Sequence, residues 1–505
     1  MTQPPEGIGS RPYPFLSPWT VPAVLMTAGG ALLLFFASWG SEKGFWLDEA
    51  LSVARARLDF GSLAREIVES QANMGLYYVL LHVWVNLGTS EAVVRGLSVI
   101  FAVLAIPVVF GLGSRLFGAR AGVAASVLMA FNAFFVRYSQ EARGYSLAVL
   151  LVCLSSYWFV RSLQQGSRST WAAYALTSVL AVYAHLFSVL VVAAQIGSLL
   201  CRRRGATPWR GVAGSAVAIG AGIVPLAAFA IFRDAGQIAW IPVPRPIDIY
   251  YFFRALAGEG GVVLLGAYAL ACALAIRHVF TFKGAAVGED GRWPVAFVAV
   301  WLVLPAALAF GVSFMKPVFQ NRFLIVSLPA LVILAGAGVA SIRPRRGFLA
   351  AMAVLVALSA GGVRAWALEP ERQYWRRTAE YVLSEARPGD AIVFYVYYAR
   401  VPFEYYVERL GLAKPGVEIL ELSSERWIAG NRQPEPSPAA LDRLAKGHPR
   451  VWLVRLQDAA PPGHALGRYE QRQRIQDALS RHFSAAGTAS FPGGIHVDRY
   501  ERRPE

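Results

Sequence analysis

Charge is what this sequence has least of. Only 16% of its 505 residues are Asp, Glu, Lys or Arg, against about 25% in an ordinary soluble domain. Cysteine is scarcer still. Cys153, Cys201 and Cys272 all sit in apolar stretches, which excludes a disulfide framework and a zinc knuckle. There is no glycine-rich phosphate loop, no catalytic triad in the C-terminal part and no visible internal repeat, the last of which argues against an inverted-repeat transporter. What is abundant is apolar: 56% of residues are hydrophobic, 12% aromatic, and the mean hydropathy is +0.44. No soluble surface covers such an excess, and a disordered chain is not so aromatic.

The net charge of +16 invites a nucleic-acid reading, and its distribution refutes it. Residues 367–505 hold 20 Lys and Arg against 18 Asp and Glu, so +14 of the surplus lies in residues 1–366, the apolar part. Basic residues there mark loops beside membrane spans. The chain therefore reads as two domains: an α-helical polytopic membrane domain, 1–366, and a soluble α/β domain, 367–505.

Runs long enough for a bilayer core lie near 19–39, 92–113, 119–136, 145–163, 170–184, 186–201, 210–232, 260–282, 293–313, 322–341 and 347–366. Residues 19–39 read as a retained anchor rather than a cleaved leader. Fourteen basic residues, from Arg115 to Arg346, fill alternate loops and are opposed only by Glu289 and Asp290, which marks those loops as cytoplasmic. A short run at 76–88, broken by His82, fits as a half-span or re-entrant piece. The total is about eleven to thirteen transmembrane helices. In the tail, helical spacing over Tyr374–Ala386 precedes an Arg387-Pro388-Gly389-Asp390 turn. Strand-like runs follow at Ala391–Tyr398, Val417–Leu422 and Arg450–Leu456, with helices at Phe403–Leu410, Pro438–Lys446 and Gly467–Phe483. This alternation predicts a small, mostly parallel sheet.

Ionisable residues against apolar surroundings are where chemistry is expected in a membrane protein. Asp48 and Glu49 adjoin Phe45-Trp46-Leu47 just after the first span, as a general base would. The same pair also suits the start of a helix running through Leu51–Ser70. A second cluster, Gln140-Glu141-Ala142-Arg143-Gly144-Tyr145, fills a tight outward loop after Arg137. Snorkelling accounts for Arg137 but poorly for the rest, and arginine matches phosphate in a planar, bidentate way. His82, beside Tyr77 and Tyr78, and His185 interrupt apolar runs, where packing is the commoner role. Arg322 closes an outward loop and either neutralises an anion or anchors its helix.

Together these segments resemble the GT-C superfamily of membrane glycosyltransferases, and within it the bacterial family 39 enzymes. Those include relatives of the protein O-mannosyltransferases and the lipid A aminoarabinose transferase. The resemblance rests on Trp46-Leu47-Asp48-Glu49-Ala50, Leu76-Tyr77-Tyr78 with Leu80-Leu81-His82, Gln140 to Tyr145, Tyr183-Ala184-His185, and Arg322 with Leu328-Pro329-Ala330-Leu331, in that order. It implies an inverting transfer from a polyprenyl-phosphate-linked sugar, mannose-like or other, to an acceptor glycan, lipid or protein hydroxyl. The site would face outward from the inner (plasma) membrane. By the resemblance, Asp48 is the base and Glu49 its support. Arg143 and Arg322 hold the donor phosphate, and Glu141, Gln140, Tyr77, His82 and His185 shape the sugar or acceptor pocket. Many members carry His/Lys-Pro-Pro before the Leu-Tyr-Tyr. Here Ala72-Asn73-Met74-Gly75 stands in that place, so no metal is expected, and two arginines suffice for the phosphate. The rival readings are a polytopic lipid or polysaccharide transporter, which calls for charges midway through spans, and a non-catalytic envelope assembly protein, which leaves Asp48, Arg143 and Arg322 unexplained.

Overall fold

The computed structural model describes residues 43–71, 73–203, 205, 207–232, 241–281, 292–394, 397–420, 438–456 and 475–503. The run at 19–39 lies outside them, as do 421–437 and 457–474. The first described helix, α1 (Leu47–Ala56), is shorter than the sequence predicts. Asp59 accepts a hydrogen bond from Ser62 N–H at 3.0 Å and starts a new helix, α2 (Phe60–Glu66), which breaks the expected run through Ser70.

After α3 (Gly75–Trp84), the apolar helices follow in order. They are α4 (Glu91–Phe117), α5 (Ala119–Ala130), α6 (Ala133–Ser139), α7 (Tyr145–Gln165), α8 (Arg168–Ala184), α9 (Ser188–Ser198) and α10 (Trp209–Phe232). Then come α11 (Pro246–Leu256), α12 (Gly261–Thr281), α13 (Trp293–Val312), a 3-10 segment (Asn321–Ser327) leading into α14 (Leu328–Ala340), and α15 (Arg345–Leu368). Seven are long and apolar enough to cross a membrane, or eight if α5 and α6, bent by 60°, make one span. The bend has a local cause. Asn132 caps α6 by accepting Phe135 N–H at 3.0 Å, and its amide donates to Leu256 O at 2.9 Å. At 17 and 11 residues, α8 and α9 are shorter. Small residues set the helix spacing: a Cβ on Gly338 of α14 would collide with the carbonyl oxygen of Ala271 on α12.

The short run at 76–90 forms an apolar helix over Gly75–Leu87, shorter than the helices long enough to cross. Its start packs beside Gly144, where a Cβ would meet Ala184 O at 2.6 Å and Tyr77 Cβ at 3.4 Å. Its end, at Thr89 O, accepts the Tyr405 hydroxyl of the C-terminal domain at 2.9 Å. Its end therefore lies against the C-terminal domain.

The tail adds α16 (Trp375–Glu385), β1 (Ala391–Phe394), α17 (Arg400–Arg409), β2 (Glu418–Ile419), α18 (Pro438–Gly447) and β3 (Arg450–Leu456). A helix over 475–482 leads to β4 (Phe483–Phe491) and β5 (Ile495–Arg502). The sheet order is β2-β1-β3-β5-β4. β1 pairs in parallel with β2 and β3, whereas β5 pairs antiparallel with β3 and β4. The sheet is thus mixed rather than mostly parallel, because the chain closes on a hairpin, and Phe483 opens a strand instead of ending a helix. The core runs without a break from the membrane helices into the tail: Phe45, Tyr406 and Trp375 belong to one buried cluster, and the Phe45 and Tyr405 rings sit 5.0 Å apart.

Candidate active site

Three separated pieces of chain converge on the face carrying the C-terminal domain. They are the first turn of α1, the 140–144 loop between α6 and α7, and the 3-10 segment before α14. Asp48 Oδ2 lies 3.5 Å from Arg322 Nη1 and 3.9 Å from Arg143 Nη2. Its side chain keeps 23% of its exposure. Arg143 Nη1 donates to the Tyr78 hydroxyl at 3.0 Å, which aims the guanidinium at Asp48.

Glu49 is placed quite differently. Its side chain is 1% exposed and takes both Arg95 donors, Nε at 2.8 Å and Nη2 at 2.7 Å. Ala142 N–H donates to the same carboxylate at 3.0 Å. Such a bidentate charged pair fixes both partners rigidly. Glu49 thereby ties the arginine loop to α1, and Asp48 remains the accessible carboxylate of the pair. Tyr77 serves the same loop, since its hydroxyl meets Ser98 Oγ at 2.9 Å, and Ser98 donates to Arg143 O at 3.4 Å.

Glu141 Oε1 pairs with Arg372 Nη1 at 3.0 Å, while its buried Oε2 has no hydrogen-bond partner among the described residues. Burial pushes its carboxyl above the usual glutamate value, against the pull of Arg372. Gln140 ends α6 next to it. His185, in the turn between α8 and α9, packs against Tyr145, Phe187 and Phe323. Phe187 N–H donates to its Nδ1 at 3.3 Å, which puts the ring proton on Nε2, a buried donor with no partner among the described residues. Burial keeps the ring neutral, its pKa pushed down to about 3, with Arg143 and Arg322 adding to the effect. Buried polar atoms without partners are uncommon and ask for a reason. Here two of them, an acceptor and a donor, flank one cluster of charge.

His82 is not brought to this cluster. Its Nδ1 meets Ala56 O at 2.9 Å, at the far end of α1, roughly 12 Å along the helix from Asp48 by the rise per residue. Asn73 has work of its own. Asn73 Oδ1 accepts Leu186 N–H at 2.9 Å and so braces the turn that bears His185. Among the described residues, no three His, Cys, Asp or Glu side chains gather as metal ligands would.

Several functional residues were not singled out from the sequence. Arg95 opens a span and looks like any interfacial arginine. Arg372 and Gln373 belong to the linker after the last span. The Trp46 ring lies 5.4 Å from the Arg322 guanidinium and 4.5 Å from that of Arg372. Only Trp46 and Tyr78 carried a signal, as neighbours within the motifs quoted above.

Residues 75–230 match the family model of the dolichyl-phosphate-mannose-protein mannosyltransferases. No curated protein sequence matches the chain. Among solved structures, the chain is similar to ArnT from Cupriavidus metallidurans bound to undecaprenyl phosphate. That likeness has a TM-score of 0.63 at 13% identity and covers 95% of this chain and 98% of ArnT. The apo state of the same protein gives 0.64 at 13% identity over the same shares. The fold is that of ArnT, and the matched family segment contains Tyr77, Tyr78, Arg95, Arg143 and His185 of the site. The chain thus has the fold of ArnT over 95% of its length, and its residues 75–230 are similar to the dolichyl-phosphate-mannose-protein mannosyltransferase family.

Proposed function

We propose that the chain moves a sugar from a polyprenyl-phosphate donor to an acceptor hydroxyl, with inversion, on the extracytoplasmic face of the inner membrane. The observation that carries this reading is the accessible Asp48 carboxylate set between two arginines, at 3.5 and 3.9 Å. ArnT, which shares the fold, binds undecaprenyl phosphate. Asp48 takes the proton of the acceptor hydroxyl as its oxygen attacks the anomeric carbon. The bond from that carbon to the phosphate oxygen breaks, and its electron pair leaves with the phosphate. Arg143 and Arg322 stabilise the charge that builds there, so the step needs no metal. Glu141 Oε2 and His185 Nε2 supply an acceptor and a donor for sugar hydroxyls. Three arginines near the Asp48 and Glu141 carboxylates give the site the positive balance that an anionic donor requires.

The test is turnover of radiolabelled undecaprenyl-phosphate sugars, offered as a panel to the purified protein. At least one is expected to release undecaprenyl phosphate. Asp48→Asn is expected to slow that release by about 10²–10⁴-fold, the usual share of a general base. Full activity in Asp48→Asn would remove the base assignment, and no turnover of any donor would return the transporter reading to first place.

A further inference from the structure

We propose that the C-terminal domain sets the position of Asp48, with Gln373 acting as a helix cap supplied from a distant part of the chain. The proposal rests on the reading of Asp48 as the base. Helix α1 lacks a cap of its own, because its N-cap residue is Trp46, whose side chain makes no capping bond. A helix start without side-chain acceptors leaves N–H groups to be satisfied elsewhere. Leu47 N–H, one residue before Asp48, donates instead to Gln373 Oε1 at 2.8 Å, across 326 positions of sequence. The same oxygen accepts Trp375 Nε1–H at 2.8 Å, and Trp375 is fully buried at the head of α16. Both partners are donors only, so chemistry alone fixes which way the Gln373 amide faces.

Gln373 is itself held by the last hairpin of the chain. Tyr374 N–H donates to Pro492 O at 3.3 Å in the β4–β5 turn. Gly493 in that turn has φ +87°, and a Cβ there would collide with the Arg372 carbonyl oxygen and come within 2.7 Å of Gln373 Cα. Only glycine lets the turn press so closely on the linker. A second hold lies on the other side of Trp46. The Tyr406 hydroxyl of α17 accepts Phe45 N–H at 2.7 Å and reaches Glu91 Oε1 at 3.1 Å. The peptide that leads into α1 is thus fastened by the C-terminal domain at Phe45 and at Leu47. Gln373 is a positioning residue: it touches neither phosphate nor sugar, and acts by holding the turn that carries the base.

Hydrogen exchange on the full-length protein in lipid nanodiscs tests this without knowledge of the sugar. In Gln373→Leu, the amides of Leu47–Ala50 are expected to exchange about tenfold faster, the factor an ordinary buried hydrogen bond carries. Protection in α16, α17 and the sheet is expected to stay as in the wild type, as is binding of undecaprenyl phosphate. Gln373→Glu, whose carboxylate accepts the same two N–H groups, is expected to restore protection. Gly493→Ala, whose Cβ would press on the Arg372 carbonyl oxygen and on Gln373 Cγ, is expected to reproduce the local loss with the Gln373 amide itself intact. With a donor that turns over, Gln373→Leu should lower kcat and leave KM for the donor in place. Unchanged exchange at Leu47–Ala50 would overturn the proposal, and so would a rise spread evenly over α16 and the sheet. Failure of the wild type to bind undecaprenyl phosphate would count against the donor reading instead, and leaves the exchange result standing on its own.

Discussion

Two buried polar clusters in this protein have opposite characters. Midway along the membrane helices, Gln195 of α9 donates to Ser155 and Ser156 of α7 at 3.0 Å each and accepts from Tyr174 of α8 at 3.0 Å. Ser155 and Ser178 close the network at 2.8 Å. It is neutral, and the polar atoms of these five side chains are satisfied. The cluster beside the C-terminal domain holds Asp48, Glu141, Arg143, Arg322 and Arg372, and among the described residues it leaves Glu141 Oε2 and His185 Nε2 unmatched. A satisfied neutral network binds helices together. A charged, partly unmatched one is costly to bury and persists where it does chemistry. A transporter calls for the reverse placement, with charge in the middle of the membrane.

The sharpest way to break this contrast is to remove a charge that is structural despite its place in the site. Glu49→Ala leaves the Arg95 guanidinium buried and unpaired. It is expected to cost about 3–5 kcal/mol, read as a fall in Tm of the detergent-solubilised protein. If Glu49→Ala kept the wild-type Tm and lost only activity, Glu49 would act in the chemistry rather than in holding the loop. A smaller effect is expected in the middle of the membrane. Gln195→Leu should cost about 0.6–1.7 kcal/mol, as interhelical hydrogen bonds in membranes do, with kcat unchanged. Loss of turnover there at constant Tm would erase the distinction between the clusters.

The smallest effect is a slope. Burial raises the Glu141 carboxyl above its ordinary 4.5, so its contribution to stability is fully present below that pH and is lost as pH rises through the raised value. Glu141→Gln has no such group. Its Tm relative to the wild type is therefore expected to climb with pH from about 4.5 upward. A gap that narrowed with rising pH would mean that the Arg372 ion pair outweighs burial.

Much of the site was legible in the sequence because membrane proteins are sparing with charge. Against a background of apolar helices, Asp48, Arg143 and Arg322 stand out by residue type and by lying on the same side of the membrane. Their pairing partners did not, because one arginine at a span end looks like another. Nothing local distinguishes Arg95, which locks Glu49, from Arg137, which pairs with Glu259 and Glu369 away from the site. Arg372 and Gln373 were hidden for a different reason: Gln373 meets α1 across 326 positions of sequence, a distance over which no local pattern reports. The C-terminal hairpin escaped notice because β4, with its run Ser484 to Ser490, is poor in branched and aromatic residues. Its strand character comes from pairing with β5 rather than from intrinsic preference. His82 is the converse case, an unusual residue inside an apolar run whose ring meets the end of α1 rather than its first turn.

The central claim is that Arg143 and Arg322 form the phosphate site of a lipid-linked donor, and equilibrium binding of undecaprenyl phosphate tests it most directly. The wild type, Gln195→Leu and Asp48→Asn are all expected to bind. The Arg143→Ala, Arg322→Ala double variant is expected to lose about a hundredfold or more in affinity, since each hydrogen bond to a charged group carries roughly tenfold or above. A double variant that folds and binds undecaprenyl phosphate as tightly as the wild type would contradict the account.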